Sequence, residues 1–375
     1  MFSHLFKEPQ TINIYYYIYI MRNTKLLIIF AAMIAFSCSQ PGDRLPRGKA
    51  SAELDSAFEN YLKAVADSAE DLHSIMVLQH GKVLEEKQIA PDTAHIMNSV
   101  SKTFTSTAVG FAIHEGLLSL DDKIVDIFPE SVPAEPQERL SAITIRHLLT
   151  MNSGHGKDPT YAVRVNDSDW VQAFMEWPIE FDPGTCYCYN SLGTYILSAA
   201  VQKVTGQKVV DYLDTRLWQP LGIEKPFWQE SPQGINTGGW GLYLHTEDLA
   251  RMGLCLLNGG KFRGKQVIPA DWVAEMSANQ VPSAGAGLNE MQVKAIQADE
   301  SNPFRAYFDP EKSDWLQGYG YQMWRCRHGA FRADGANGQY IIVIPDKDAV
   351  IVTTAHIQNM GQELNLIWDY LLPVL

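Results

Sequence analysis

"HIMNSVSKTFTSTAVGFAIHEG", residues 95–116, sets a lysine, Lys102, three residues after a serine, Ser99, at the head of an apolar run. Phe104, Ala108, Phe111 and Ala112 recur at three to four residues, which predicts a helix. Residues three apart share one helix face, so Ser99 and Lys102 stand together. An ammonium is costly to bury, so by packing alone Lys102 is misplaced. A free lysine holds its proton to about pH 10.4, and burial lowers that by up to about 3–5 units, enough to make a base. Ile96, Met97, Val100 and Phe104 supply the apolar setting. A serine hydroxyl needs a base within hydrogen-bond reach. Amides at a helix N-terminus are unpaired and favour negative charge. Ser99 and Lys102 are therefore a candidate nucleophile and base. The alternative for so short a motif is a Ser/Thr-rich helix start with Lys102 at the surface.

Working outward, "SIMVLQHGKVLEEKQIA" (74–90) reads as strand, His80-Gly81 turn and strand, preceded by helical spacing from Ala52 to Leu72. "ITIRHLLTMNSG" (143–154), "LGTYILSAAVQKVTG" (192–206) and "TEDLARMGLCLLNGG" (246–260) read as helices closed by glycine. Residues 281–314 read as a polar, irregular loop. "GQYIIVIP" (338–345) and "DAVIVTTAH" (348–356) are strands, followed by a helix from Glu363 to Leu371. Strands at both ends with helices between predict an α+β fold. One antiparallel sheet, built from residues of about 52–110 and 236–375 and flanked by terminal helices, would carry an inserted helical lobe of about 111–235.

Two further segments bear polar chemistry. In "FDPGTCYCYN" (181–190), Tyr189 follows a Pro183-Gly184 turn. A tyrosine near a cationic lysine ionises more readily and passes protons. By itself, Tyr189 reads equally as a packed aromatic. In "ADGANGQYIIVIP" (333–345), Gly335 and Gly338 permit close backbone approach, and an amide there can stabilise an oxyanion. By itself, that segment is a glycine-rich turn.

Composition narrows the rest. The 375 residues are 46% hydrophobic and 19% charged, with a net charge of −13 and no basic stripe, which excludes a nucleic-acid partner. There is no G-x-S-x-G and no H-E-x-x-H. "GGKFRGKQ" (259–266) has phosphate-loop spacing, but ends in Gln266 instead of Ser or Thr and follows a helix. Cys186 and Cys188 face the same way on a strand. With Cys255 and Cys326 they are expected as buried free thiols. No metal or organic cofactor is implied.

Met21-Arg22-Asn23-Thr24-Lys25 is a positive segment before the apolar Leu26–Phe36, too short to span a bilayer. Ser37-Cys38 then resembles a bacterial lipoprotein cleavage site, with Ala35 where Leu is usual. The expectation is an exported, periplasmic lipoprotein anchored to the membrane through Cys38. Residues 1–37 would be a mis-assigned start at Met1 instead of Met21 plus a signal peptide, and residues 38–51 a tether.

Together, in this order, the segments resemble the serine β-lactamase and penicillin-recognising enzyme superfamily, in its class C β-lactamase, DD-peptidase and esterase branch. "NSVSKTFTSTAVG" resembles its S-x-x-K box; "WGLYLHTEDLARMG" and "YIIVIPDKDAVIVTT" resemble other recurrent segments, and the likeness spans about residues 52–372. It implies Ser99 as the acylated nucleophile, Lys102 as its lysine and Tyr189 as the tyrosine of a Y-x-N box in which Ser191 replaces Asn. It also implies an oxyanion hole from the amides of Ser99 and Ala336. Ser191, Asp334 and Gly335 fall at substrate-binding positions. Where a K-T-G or H-T-G triplet is usual, Ala333-Asp334-Gly335 stands, so no cation is left there for the carboxylate of a β-lactam or D-Ala-D-Ala peptide. Arg325, Arg327, His328 and Arg332 lie nearby in sequence; the alternatives are that they supply the missing charge or that they sit at the surface, and the surface is expected. The resemblance thus implies a serine hydrolase cleaving a small-molecule or peptide ester or amide through an acyl-enzyme. The alternatives are a true β-lactamase or DD-peptidase, and a family member that binds cell-wall peptides without turnover.

Overall fold

The computed structural model describes residues 43–68 and 70–375. The expected export signal and Cys38 lie outside these residues. From Asp43 onward the expected tether lies against the body: Leu45 is buried, and Arg47 pairs with Glu86 and Glu247.

Helix α1 (Ala52–Asp67) opens on Ser51, whose side chain accepts from the Leu54 amide, and buries Leu54, Phe58, Tyr61 and Val65 along one face. It stops short of Leu72 because that residue already belongs to strand β1 (Leu72–Gln79). β1 turns through His80 and Gly81, both with left-handed backbone, into β2 (Lys82–Gln88). Helices α2 (Ser101–His114), α3 (Ser191–Thr205) and α4 (Thr246–Leu257) follow. Then come β3 (Trp324–Arg325), β4 (Phe331–Gly335), β5 (Gln339–Ile344), β6 (Ala349–Ala355) and α5 (Met360–Leu366), which continues through a wider turn to Leu371.

The strands form one antiparallel sheet in the order β2-β1-β6-β5-β4-β3, so the first and last strands of the chain pair, with Val77 opposite Ile351. Along β5, Ile341 and Val343 join the apolar cluster under α4, while Tyr340, Ile342 and Ile344 join the one under α1 and α5. Both faces are covered, which is why these strands read as unbroken apolar runs. The first cluster continues beyond the sheet into α2 and α3, through Phe104, Ala108, Leu192 and Ile196. Every residue of α2 from Ser101 to Ala112 is buried.

Two expectations need correction. Residues 281–314 are not wholly irregular: Glu290–Ala298 is a helix closed by an Asn289/Gln292 capping box. Only Val293 of it is buried, so its apolar period is faint. "CYCYN" is extended but makes a single bridge, Cys188 to Asn289, and is no strand of the sheet. Cys186, Cys188, Cys255 and Cys326 are all free and buried.

Candidate active site

Ser99 sits not in α2 but in the single 3-10 turn Asn98–Val100 that feeds it. Asn98 has φ of 45°, a left-handed conformation that asparagine tolerates better than most residues. Its side-chain Nδ2 donates to the Ala336 carbonyl at 2.8 Å, fastening the turn to the chain leaving β4. At the end of β4, Gly335 lies so close that an added Cβ would stand 2.3 Å from the Met97 carbonyl oxygen. Glycine is required there for approach, not for an unusual φ.

One turn into α2, Lys102 is 1% exposed. Its Nζ has three polar neighbours: Ser99 Oγ at 2.8 Å, the Gly239 carbonyl at 2.8 Å and Ser191 Oγ at 3.1 Å. Burial lowers its pKa to about 7, against the opposing pull of Asp158 and Asp334. A neutral amine has two N–H groups and one lone pair. Gly239 and Ser191 accept the two N–H bonds, leaving the lone pair for the Ser99 hydroxyl proton.

Tyr189 lies on the chain entering α3. Its ring stacks on Trp324 at 5.4 Å, Lys102 Nζ lies 4.8 Å from its centroid, and its hydroxyl bonds with Ser99. The expectation that it would ionise readily is overturned. Burial pushes the phenol well above its ordinary range, further than the Ser99 bond brings it down. Tyr189 is therefore a neutral hydrogen-bonding group.

Ser191 begins α3, with its amide donating to Asp158 Oδ2 at 3.0 Å and its hydroxyl turned to Lys102. Asp334, on β4, is 8% exposed. Arg332 shares its strand face and, against the expectation of a surface position, is completely buried. Arg332 Nε donates to Asp334 Oδ2 at 2.9 Å, and Nη2 lies 2.7 Å from the same oxygen. Burial raises the Asp334 pKa further than Arg332 pulls it down, but Arg332 keeps its proton and sets two guanidinium nitrogens on one Asp334 oxygen, the geometry of an ion pair. Arg325 and Arg327 are partly buried and His328 exposed; Arg327 pairs with Asp314.

Ser99, Tyr189, Asp334 and Ala336 line one cavity of about 450 Å³, walled by Phe308, Trp315, Leu316, Trp324 and Met360. A larger hollow of about 600 Å³ near Arg305 holds none of the candidate residues. The fold thus brings together residues from the start of α2, the start of α3 and the end of β4. Gly335 and Ser191 stand just behind that surface. Sequence reading missed Asn98, Asp158, Trp315 and the Gly239 carbonyl. Asn98 had a signal, as a residue tolerant of left-handed backbone directly before the serine. Asp158 sits in an aperiodic loop and had none.

Among the described residues no group of His, Cys, Asp and Glu side chains could hold a metal ion, and no helix is long and apolar enough to cross a membrane.

Comparison with known proteins follows the same lines. The β-lactamase family profile matches residues 65–374. The 6-aminohexanoate-dimer hydrolase of Paenarthrobacter ureafaciens is 29% identical over 301 residues, 74% of this chain and 71% of that one. The structure of EstCE1, a hydrolase with promiscuous acyltransferase activity, superposes with a TM-score of 0.65 at 16% identity, covering 85% of this chain and 98% of that one. The octameric penicillin-binding protein homologue of Pyrococcus abyssi gives 0.64 at 18% identity, covering 86% and 77%. At these identities the structural likeness is one of fold. The family match spans the sheet, the inserted helices and every residue of the cavity, and the chain belongs to the β-lactamase family, within the serine β-lactamase and penicillin-binding protein superfamily.

Proposed function

We propose that the protein is a serine hydrolase that cleaves an ester or linear amide through an acyl-enzyme on Ser99. The observation that carries this reading is the buried Lys102 amine, 2.8 Å from Ser99 Oγ, with the Gly239 carbonyl and the Ser191 hydroxyl placed to accept its two N–H bonds. Ser99 Oγ attacks the substrate carbonyl while its proton passes to Lys102 Nζ. The amides of Ser99 and Ala336 hold the resulting oxyanion. As the tetrahedral intermediate collapses, Lys102 returns the proton to the leaving alcohol or amine, with Tyr189 as the neutral relay. Water then attacks the acyl-enzyme, Lys102 accepts its proton, and the acid leaves with Ser99 restored.

Preference for an ester or linear amide over a β-lactam or D-Ala-D-Ala peptide is supported by the cavity wall. None of the described residues lining it carries a positive charge, and Asp334 carries a negative one. The relative described as a 6-aminohexanoate-dimer hydrolase supports this choice. We further propose that the protein is exported and held at a bacterial membrane by a lipid on Cys38, supported by the positive and apolar segments before that residue.

The test is mass spectrometry after exposure to a fluorophosphonate and, separately, to a penicillin. A fluorophosphonate adduct on the peptide carrying Ser99, with little or no penicilloyl adduct, is expected. Absence of any adduct would leave the non-catalytic binding role.

The reading also fixes a pH dependence. The base must be neutral, so kcat/KM for a neutral ester rises with pH through about 7 and falls away below it. Asp158 helps Lys102 keep its proton, so Asp158→Asn, which retains an oxygen for the Ser191 amide, moves this limb to lower pH. A limb unmoved in Asp158→Asn would remove Lys102 as the group that titrates.

A further inference from the structure

Arg332 stands behind the cavity wall without lining the cavity. Its guanidinium packs on the rings of Trp315 and Trp324, 4.8 and 5.6 Å from their centroids, and both rings line the cavity. Nη1 donates to the Asp314 carbonyl at 3.0 Å. Between this buried charge and the space beside Ser99 stand the two tryptophan rings and the Asp334 carboxylate, and of these only the carboxylate is charged. The pair is neutral in sum but not in direction: its negative end faces the substrate and its positive end faces the protein. A carboxylate carried by a substrate would meet Asp334 first, at a carboxylate only 8% exposed, where like charges repel more strongly than in open solvent.

We propose that Asp334, backed by Arg332, is a specificity-determining charge filter. It turns away substrates whose acyl chain carries a carboxylate within reach of β4, and its removal uncovers Arg332 as an anion-binding group. The inference rests on the hydrolase reading and deepens it: the acyl group admitted is uncharged or cationic on the side facing β4. Replacing Asp334 then does more than lose a repulsion. In Asp334→Ala the vacated volume lies directly against a guanidinium that has lost its partner, and a substrate carboxylate of the right reach takes the place of the missing one.

The experiment compares mono-p-nitrophenyl adipate with its methyl ester, which has the same acyl chain without the charge. Wild type is expected to favour the methyl ester by about tenfold or more in kcat/KM. In Asp334→Asn and Asp334→Ala the ratio is expected to move toward the acid by about tenfold or more, chiefly through the KM of the acid. Arg332→Gln/Asp334→Asn removes the attraction together with the repulsion, so its ratio is expected near unity, between wild type and the single variants. Single replacement strands a buried cation, so the double variant also carries the test if the single ones fail to fold: its ratio must lie closer to unity than that of wild type. Equal turnover of acid and ester by wild type, or a ratio unchanged in every folded variant, overturns the filter. Failure of wild type to hydrolyse either ester, together with no fluorophosphonate adduct, overturns the hydrolase reading instead.

Discussion

Lys102→Met is expected to cut ester turnover by about 10²- to 10⁴-fold, the usual cost of losing a positioned general base. That corresponds to about 3–5 kcal/mol of barrier. Methionine keeps the length and apolar body of the lysine but has no amine to take the Ser99 proton. Ser99→Ala removes the attacking oxygen and is expected to abolish both turnover and the fluorophosphonate adduct. Because the two side chains act as one unit, the double variant should be no worse than the more damaging single one.

Stability separates this chemical role from a structural one. Lys102 is buried among Val100, Phe104 and their neighbours, and a group kept there for packing would cost stability when replaced. Methionine forfeits the bond to the Gly239 carbonyl, about 1 kcal/mol, but no longer buries a group that prefers to be charged. The melting temperature of Lys102→Met should therefore hold or rise while activity collapses. The measurement is a thermal melt at pH 8 beside a steady-state assay. A large fall in melting temperature with partial retention of activity would return Lys102 to the bland reading of a helix-start residue held for structure.

Much of this site was legible because its parts are local. Ser99 and Lys102 are three residues apart on one helical start, so their contact follows from backbone geometry alone. The glycines of 333–345 announced a close approach, and Gly335 makes one. The unreadable parts depend on where distant chain segments meet. Gly239 contributes only a carbonyl, and no side-chain pattern advertises a carbonyl. Asp158 acts on Lys102 by its charge from an irregular loop, held there by the Ser191 amide. Arg332 was misplaced for a definite reason: charge by itself predicts a surface position, and its partner two residues on was already assigned to the cleft. Alternation along a strand puts residues i and i+2 on the same face, so the pairing was available in principle once β4 was recognised as a strand. The helix at Glu290–Ala298 hid for the opposite reason. It buries one residue, and periodicity reports burial, not helicity.

Gly335→Ala is the second large effect, and it tests how β4 positions the nucleophile. The backbone at Gly335 is ordinary extended strand, so alanine incurs no conformational strain. The whole penalty is contact: its Cβ would stand 2.3 Å from the Met97 carbonyl, 3.2 Å from the Val100 amide and 3.0 Å from the Gln339 Cβ. Two of these are main-chain atoms of the turn carrying Ser99, and backbone yields less readily than a side chain. Either β4 or the turn must shift, which separates the Ser99 amide from the Ala336 amide and loosens the Asn98 bond to Ala336. A displacement of about 1 Å at reacting groups costs about 10²-fold, and overpacking of this kind costs about 1–3 kcal/mol of stability. Gly335→Ala should therefore lose about 10²-fold in kcat, more than in KM, and melt several degrees lower. Gly193→Ala is the matched control. That glycine is buried in α3 close to Asn190, but its added Cβ meets nothing nearer than 3.6 Å and alanine favours the helix. It should keep its activity and melt no lower than wild type. If Gly335→Ala behaves like this control, β4 does not press on the turn, and the two amides assigned to the oxyanion are not held together by that contact.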